Sequence, residues 1–117
     1  MASVRSVADS QRSQALSQAN RVRSARATLK RALGAGQRSA AEVISDPPWI
    51  ARTMPVRQVV LSQRGWGPVR AARLLRAASV PDSKELGSLT ERQRRVLLAM
   101  LEERDRDRAR VHELSAL

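Results

Sequence analysis

The sequence predicts an all-α fold in which a long N-terminal helix packs on a small helical domain. Three observations carry that reading: apolar residues recurring at helical spacings, two sequences of capping-box form, and Gly or Pro clusters between the periodic stretches.

From about Ser10 to Leu33 the residues are mostly helix formers without Pro or Gly, and Ala15, Val22, Ala25, Leu29 and Leu33 share one face. Gly34-Ala35-Gly36 stops that helix. Ser39-Ala40-Ala41-Glu42 has the form of a capping box and opens a short helix through about Ser45, closed by Asp46-Pro47-Pro48. Trp49 and Ile50 are expected to plug the core as a single turn. Pro55 suits the first turn of a helix to about Gln63 that buries Val56, Val59 and Val60. Another helix runs from about Pro68 to Ala78 and ends before Pro81. Thr90-Glu91-Arg92-Gln93 is a second capping box, with Leu89 as its staple and Val96, Leu97, Met100 and Leu101 on one face. The domain organisation that follows is a disordered segment over 1–11, a domain over 12–101 with its long helix at 12–33 and its core at 53–101, and a charged helical extension, frayed, over 102–117. Val111, Leu114 and Leu117 are the residues there able to line a small partner surface.

The 117 residues carry 22 basic and 11 acidic side chains, a formal net charge of +11. Only Lys30 and Lys84 are lysines; the other 20 basic residues are Arg, whose fixed fork of donors matches phosphate oxygens. No acid lies between Asp9 and Glu42, and none between Asp46 and Asp82, so two basic zones run unopposed. The last 16 residues hold four Arg against five acids and stand outside the basic surface. A polyanionic partner follows from this distribution. Leu, Ile and Val number 26, which makes the core small and the ends mobile in expectation. The absence of Cys excludes disulfides, thiolate metal sites and a cysteine nucleophile. With no apolar run of membrane-spanning length and a polar N-terminus, neither a membrane span nor a secretory signal is expected.

On the long helix, Arg12, Arg23, Arg26 and Lys30 cluster on one flank of the apolar stripe, a cationic ridge. The stretch Leu61 to Val80 reads as a short apolar helix, a Gly-x-Gly turn and an Ala/Leu/Arg helix. Gly65 and Gly67 let the backbone come close to a phosphate, toward which the first amides of the next helix point with the positive end of its dipole. Arg70 and Arg73, three apart, add charge-assisted bonds to neighbouring phosphates. Trp66 either presents an apolar wedge or stacking face, or pins the turn to the core.

The run Leu61-Ser-Gln-Arg-Gly-Trp-Gly-Pro-Val-Arg-Ala-Ala-Arg-Leu-Leu resembles a helix-two-turn-helix motif, and its setting is similar to that in the actinobacterial integration host factor family of nucleoid-associated proteins. Similar elements are Ala25-Arg26-Ala27-Thr28-Leu29-Lys30, Ala41-Glu42-Val43-Ile44, Met54-Pro55-Val56, Gly67-Pro68-Val69-Arg70-Ala71, and Leu89 through Leu97 with Arg92-Gln93; together they span about Arg12 to Leu101. The resemblance completes the fold class, a long N-terminal helix on a helix-two-turn-helix domain like that of a ribosomal head protein. It implies binding of double-stranded DNA through the backbone, with little sequence specificity and with bending or compaction, in the cytoplasm at the nucleoid. Gly67, Val69 and Arg70 match the family's turn, while Pro68 replaces a basic position and donates no amide. The family's arginine cluster after the following helix reads here Pro81-Asp82-Ser83-Lys84-Glu85-Leu86-Gly87, where Lys84 alone keeps the charge. The candidate DNA contacts are therefore Gly65, Trp66, Gly67, Pro68, Val69, Arg70, Arg73 and Lys84, with Arg23, Arg26 and Lys30 of the ridge. No cofactor, metal or small-molecule substrate is expected, and a monomer is.

The same motif serves a very basic small-subunit ribosomal protein, which makes RNA binding the alternative. In that family the motif lies close to the N-terminus and a basic extension follows it, the reverse of the order here. Glycosylases of the formamidopyrimidine-DNA type share the motif too, with chemistry that resembles an N-terminal Pro nucleophile beside a Glu. This chain begins Met1-Ala2-Ser3, so catalysis is not expected. The sole histidine, His112, has no second histidine or cysteine with which to hold a metal and reads as solvated.

Overall fold

The computed structural model describes the backbone of residues 2–115 and the side chains of 7–111 and 113–115. Among these residues there are five α-helices, two short 3-10 turns and no strand: α1 (Ala2–Gly34), α2 (Ala40–Ser45), α3 (Val56–Ser62), α4 (Pro68–Ala77) and α5 (Glu91–Ser115), with turns at Trp49–Ala51 and Leu86–Ser88. The all-α expectation holds.

Local chemistry sets the boundaries. At the end of α1, Gly36 takes a φ of 76°, and the Gln37 amide reaches back to the Ala32 carbonyl at 2.9 Å, a glycine-closed helix end. Helix α2 starts where the Ser39 hydroxyl accepts from the Glu42 amide at 3.1 Å. The reciprocal half of that capping box is absent: Glu42 lies instead 3.9 Å from Arg38, and the Ala40 amide donates to Gln63 Oε1 at 2.8 Å. At α5 both halves form, with the Gln93 amide donating to Thr90 Oγ1 at 3.1 Å and the Thr90 amide to Gln93 Oε1 at 3.0 Å. The Gln93 side chain also donates from Nε2 to the Ser79 carbonyl at 2.9 Å, tying the end of α4 to the start of α5. Ser79 itself sits at a φ of 57° where glycine is usual, and the Val80 amide bonds the Leu75 carbonyl across it at 2.8 Å.

The core collects Leu29 and Leu33 of α1, Val43 and Ile44 of α2, Val56, Val59 and Val60 of α3, Leu74 and Leu75 of α4, and Leu97 and Leu101 of α5. Met54 and Leu86 close it from the connections, and every one of these side chains is at least 95% out of water. Burial of that kind contributes on the order of 1.5–3 kcal/mol per large aliphatic side chain, which is enough to fix the helices around the turn.

Two expectations are corrected. The segment over 1–11, read as disordered, is helical from Ala2, because nothing in that stretch breaks a helix and propagation from the core-anchored end extends it. Val7 and Leu16 nevertheless stay in water, so the N-terminal part of α1 projects beyond the core and the molecule extends 75 × 32 × 23 Å. Trp49 does not plug the core. It is 62% exposed, while its neighbours Ile50 and Ala51 are buried in its place. At the other end, α5 runs unbroken from Glu91 to Ser115. Leu117 and the side chain of His112 lie outside the described residues.

Candidate functional site

The turn between α3 and α4 is built from Gln63 to Gly67. Gly65 adopts a φ of 83°, a left-handed conformation that a side chain resists, and a Cβ there would meet Arg108 Nη1 at 3.8 Å. Gly67 is different: its φ is −96°, open to any residue, and nothing lies within 4 Å of where its Cβ would be. The fold does not require glycine at position 67, and its bare Cα leaves the approach to the α4 N-terminus clear.

That terminus has no side-chain cap, in contrast to α2 and α5. With Pro68 first in the helix and the Ala71 amide closing on the Gly67 carbonyl at 3.0 Å, the Val69 and Arg70 amides have no partner within the helix. Orphan amides with the positive dipole end behind them are an arrangement suited to anions. Val69 is 68% exposed at this rim. Arg70 and Arg73 project from the same exposed face; Arg70 donates Nη1 to the Gly65 carbonyl at 2.9 Å, which holds its guanidinium beside the turn with other N–H donors still free to bind.

Trp66 bears on the alternative left open by the sequence. It is half-buried against the core, and the guanidinium carbons of Arg70 and Arg104 stand 5.9 and 5.2 Å from its ring centroid. Held in this way, Trp66 pins the turn. Arg104 belongs to α5, as does Arg108, whose Nη1 donates to the Arg64 carbonyl at 3.4 Å. The α5 extension therefore lies alongside the turn, and a groove of about 800 Å³ opens between them. Arg64, Arg70 and Arg73 line one wall, and Glu103, Asp105 and Asp107 of α5 share the other with its arginines. Sequence periodicity gave no sign of this contact, because it joins residues 44 positions apart.

The ridge on α1 divides. Arg12 and Arg23 are exposed. Arg26 is half-buried and turned onto the Trp49–Ala51 turn, with Nε donating to the Ile50 carbonyl at 3.1 Å and Nη2 to the Thr53 hydroxyl. Lys30, also half-buried, opens onto a second groove that it shares with Arg57 and Gln58 of α3 and with Asp82. Lys84 sits apart from the α4 turn, at the start of α3, where its carbonyl accepts from the Val56 amide at 2.9 Å. The structure thus gathers Gly65, Trp66, Gly67, Pro68, Val69, Arg70 and Arg73 at one turn, and leaves Arg23, Arg26, Lys30 and Lys84 on other surfaces. The described residues contain no group of three or more His, Cys, Asp or Glu arranged to hold a metal, and no described helix is long and apolar enough to cross a membrane.

A solved structure, of sIHF bound to an 8bp palindromic DNA, matches this architecture with a TM-score of 0.66 and 25% sequence identity. This chain is similar to sIHF. The match to sIHF covers 73% of this chain and 98% of the sIHF chain, so nearly all of sIHF has a counterpart here while part of this chain has none there. No family model matches the chain, and no curated protein does.

Proposed function

We propose that this protein is a nucleoid-associated, sequence-tolerant binder of duplex DNA that grips the phosphate backbone through the α4 turn and bends or compacts the duplex. The single observation that carries the reading is the uncapped N-terminus of α4 behind an unobstructed Gly67, flanked by exposed Arg70 and Arg73. Backbone amides and arginine forks recognise phosphate oxygens, which every duplex sequence presents alike. The likeness to sIHF, a protein solved with DNA, supports the same partner here. Binding rather than catalysis is the activity we assign. The exposed ridge residues Arg12 and Arg23, together with Lys30 and Arg57 at the second groove, offer a further basic surface for a neighbouring stretch of DNA. Such a protein works in the cytoplasm, at the nucleoid, and a single chain suffices for the contact.

Competition between duplex DNA, duplex RNA and single strands at physiological salt tests this reading. Duplex DNA is expected to displace a labelled duplex most effectively, with random sequences equivalent to one another. Preferential displacement by structured RNA overturns the assignment in favour of an RNA-binding role.

A further inference from the structure

The molecule has two aromatic side chains, and the fold treats them in opposite ways. Trp66 is enclosed by Arg70, Arg104 and the core, whereas Trp49 is 62% exposed. We propose that Trp49 is a second contact with duplex DNA, an indole that wedges into a base step while the α4 turn holds phosphates. The inference rests on the reading of this chain as a duplex-DNA binder.

The backbone under Trp49 is fixed from three sides. Pro48 precedes it with φ −61° and ψ 154°, and the Ala51 amide closes the turn on the Pro48 carbonyl at 2.9 Å. Ile50 and Ala51 are rooted in the core at 7% and 0% exposure. Arg26 of α1 then bonds the Ile50 carbonyl and the Thr53 hydroxyl, one on each side of Ala51 and Arg52. A large flat side chain is thereby presented outward on a rigid mount, which removes most of the ordering cost of inserting it.

Exposure of this kind is unfavourable for a free protein, because the indole is the side chain with the most apolar surface to lose to water. The charge around it selects the partner. Arg52, which ends the same turn, is exposed, while Arg26 lies beneath it bonded to Ile50 and Thr53. An apolar wedge beside the exposed Arg52 fits a base step between phosphates: the wedge unstacks the step and the cation holds a neighbouring phosphate. An acidic or apolar protein surface would satisfy one of these features but not the flat stacking face.

The test uses the full chain with Trp66→Phe, which keeps an aromatic ring between the two arginines and leaves Trp49 as the sole indole. Binding of a labelled duplex is followed by anisotropy while Trp49 emission and its quenching by acrylamide are read in the same samples. Saturation with duplex is expected to quench the emission and shield the indole from acrylamide. Trp49→Ala, at unchanged helicity, is expected to weaken duplex binding roughly 5- to 100-fold, the range for loss of one aromatic–base stack. Saturated duplex binding with Trp49 emission and acrylamide access unchanged overturns the wedge and leaves the DNA-binding reading standing. An absence of duplex binding in the unsubstituted chain overturns both.

Discussion

The guanidinium of Arg104 stands 5.2 Å from the centre of the Trp66 ring. One residue comes from the α5 extension and the other from the α3–α4 turn, so the contact makes the extension a structural part of the turn. A cation over an indole at an accessible site contributes about 0.5–1 kcal/mol. Arg104→Ala is expected to lower unfolding free energy by that amount in urea titrations, with Arg104→Lys retaining part of it. Unchanged stability in both variants means that the stack is incidental.

Gly67→Val separates binding from folding. The position has an ordinary φ and open space around it, so the fold is expected to be retained, at a cost of about 1 kcal/mol for a β-branched residue at the helix N-cap. The branched side chain then stands before the Val69 and Arg70 amides. Loss of one charge-assisted phosphate bond amounts to about 1.5–3 kcal/mol, or roughly 10- to 100-fold in affinity, and it is expected on all duplex sequences alike. Anisotropy titrations on several unrelated duplexes check this.

The carboxylates of Glu103, Asp105 and Asp107 line the same groove as Arg64, Arg70 and Arg73. A phosphate entering the groove meets these charges, each costing about 0.5 kcal/mol at roughly 8 Å in water. Combining Glu103→Gln with Asp107→Asn is expected to tighten duplex binding about fivefold at low salt, and the gain is expected to shrink as salt screens the pair. Titration at two ionic strengths reads both effects.

Arg26 was expected on sequence grounds to reach DNA, but the structure turns it onto Ile50 and Thr53. Arg26→Ala is therefore expected to cost stability, about 1–2 kcal/mol by urea unfolding. It is also expected to loosen the Trp49 turn, with faster amide exchange over Trp49 to Thr53 than in the unsubstituted chain.

The elements that sequence chemistry located are those with local causes. The Thr90–Gln93 box, the stop at Gly36 and the valine face of α3 each follow from residues within a few positions of one another. The turn at Gly65 to Gly67 was legible for the same reason. What escaped depends on distant partners. The packing of α5 against the turn joins Arg108 to Arg64 and Arg104 to Trp66, and no local spacing encodes it. Trp49 looked like core because it is large and apolar, yet the Pro47-Pro48 entry and the adjacent Ile50 decide which of the two side chains turns inward. Arg26 lies on the expected face of α1, but its final direction depends on a carbonyl 24 residues away.

The most direct test of phosphate recognition at the turn is the salt dependence of duplex DNA binding. With about six phosphates neutralised by Arg or Lys, the log–log plot of affinity against salt is predicted to have a slope of roughly −5. A nearly flat plot contradicts the account, because every phosphate that an arginine or lysine neutralises releases counterions.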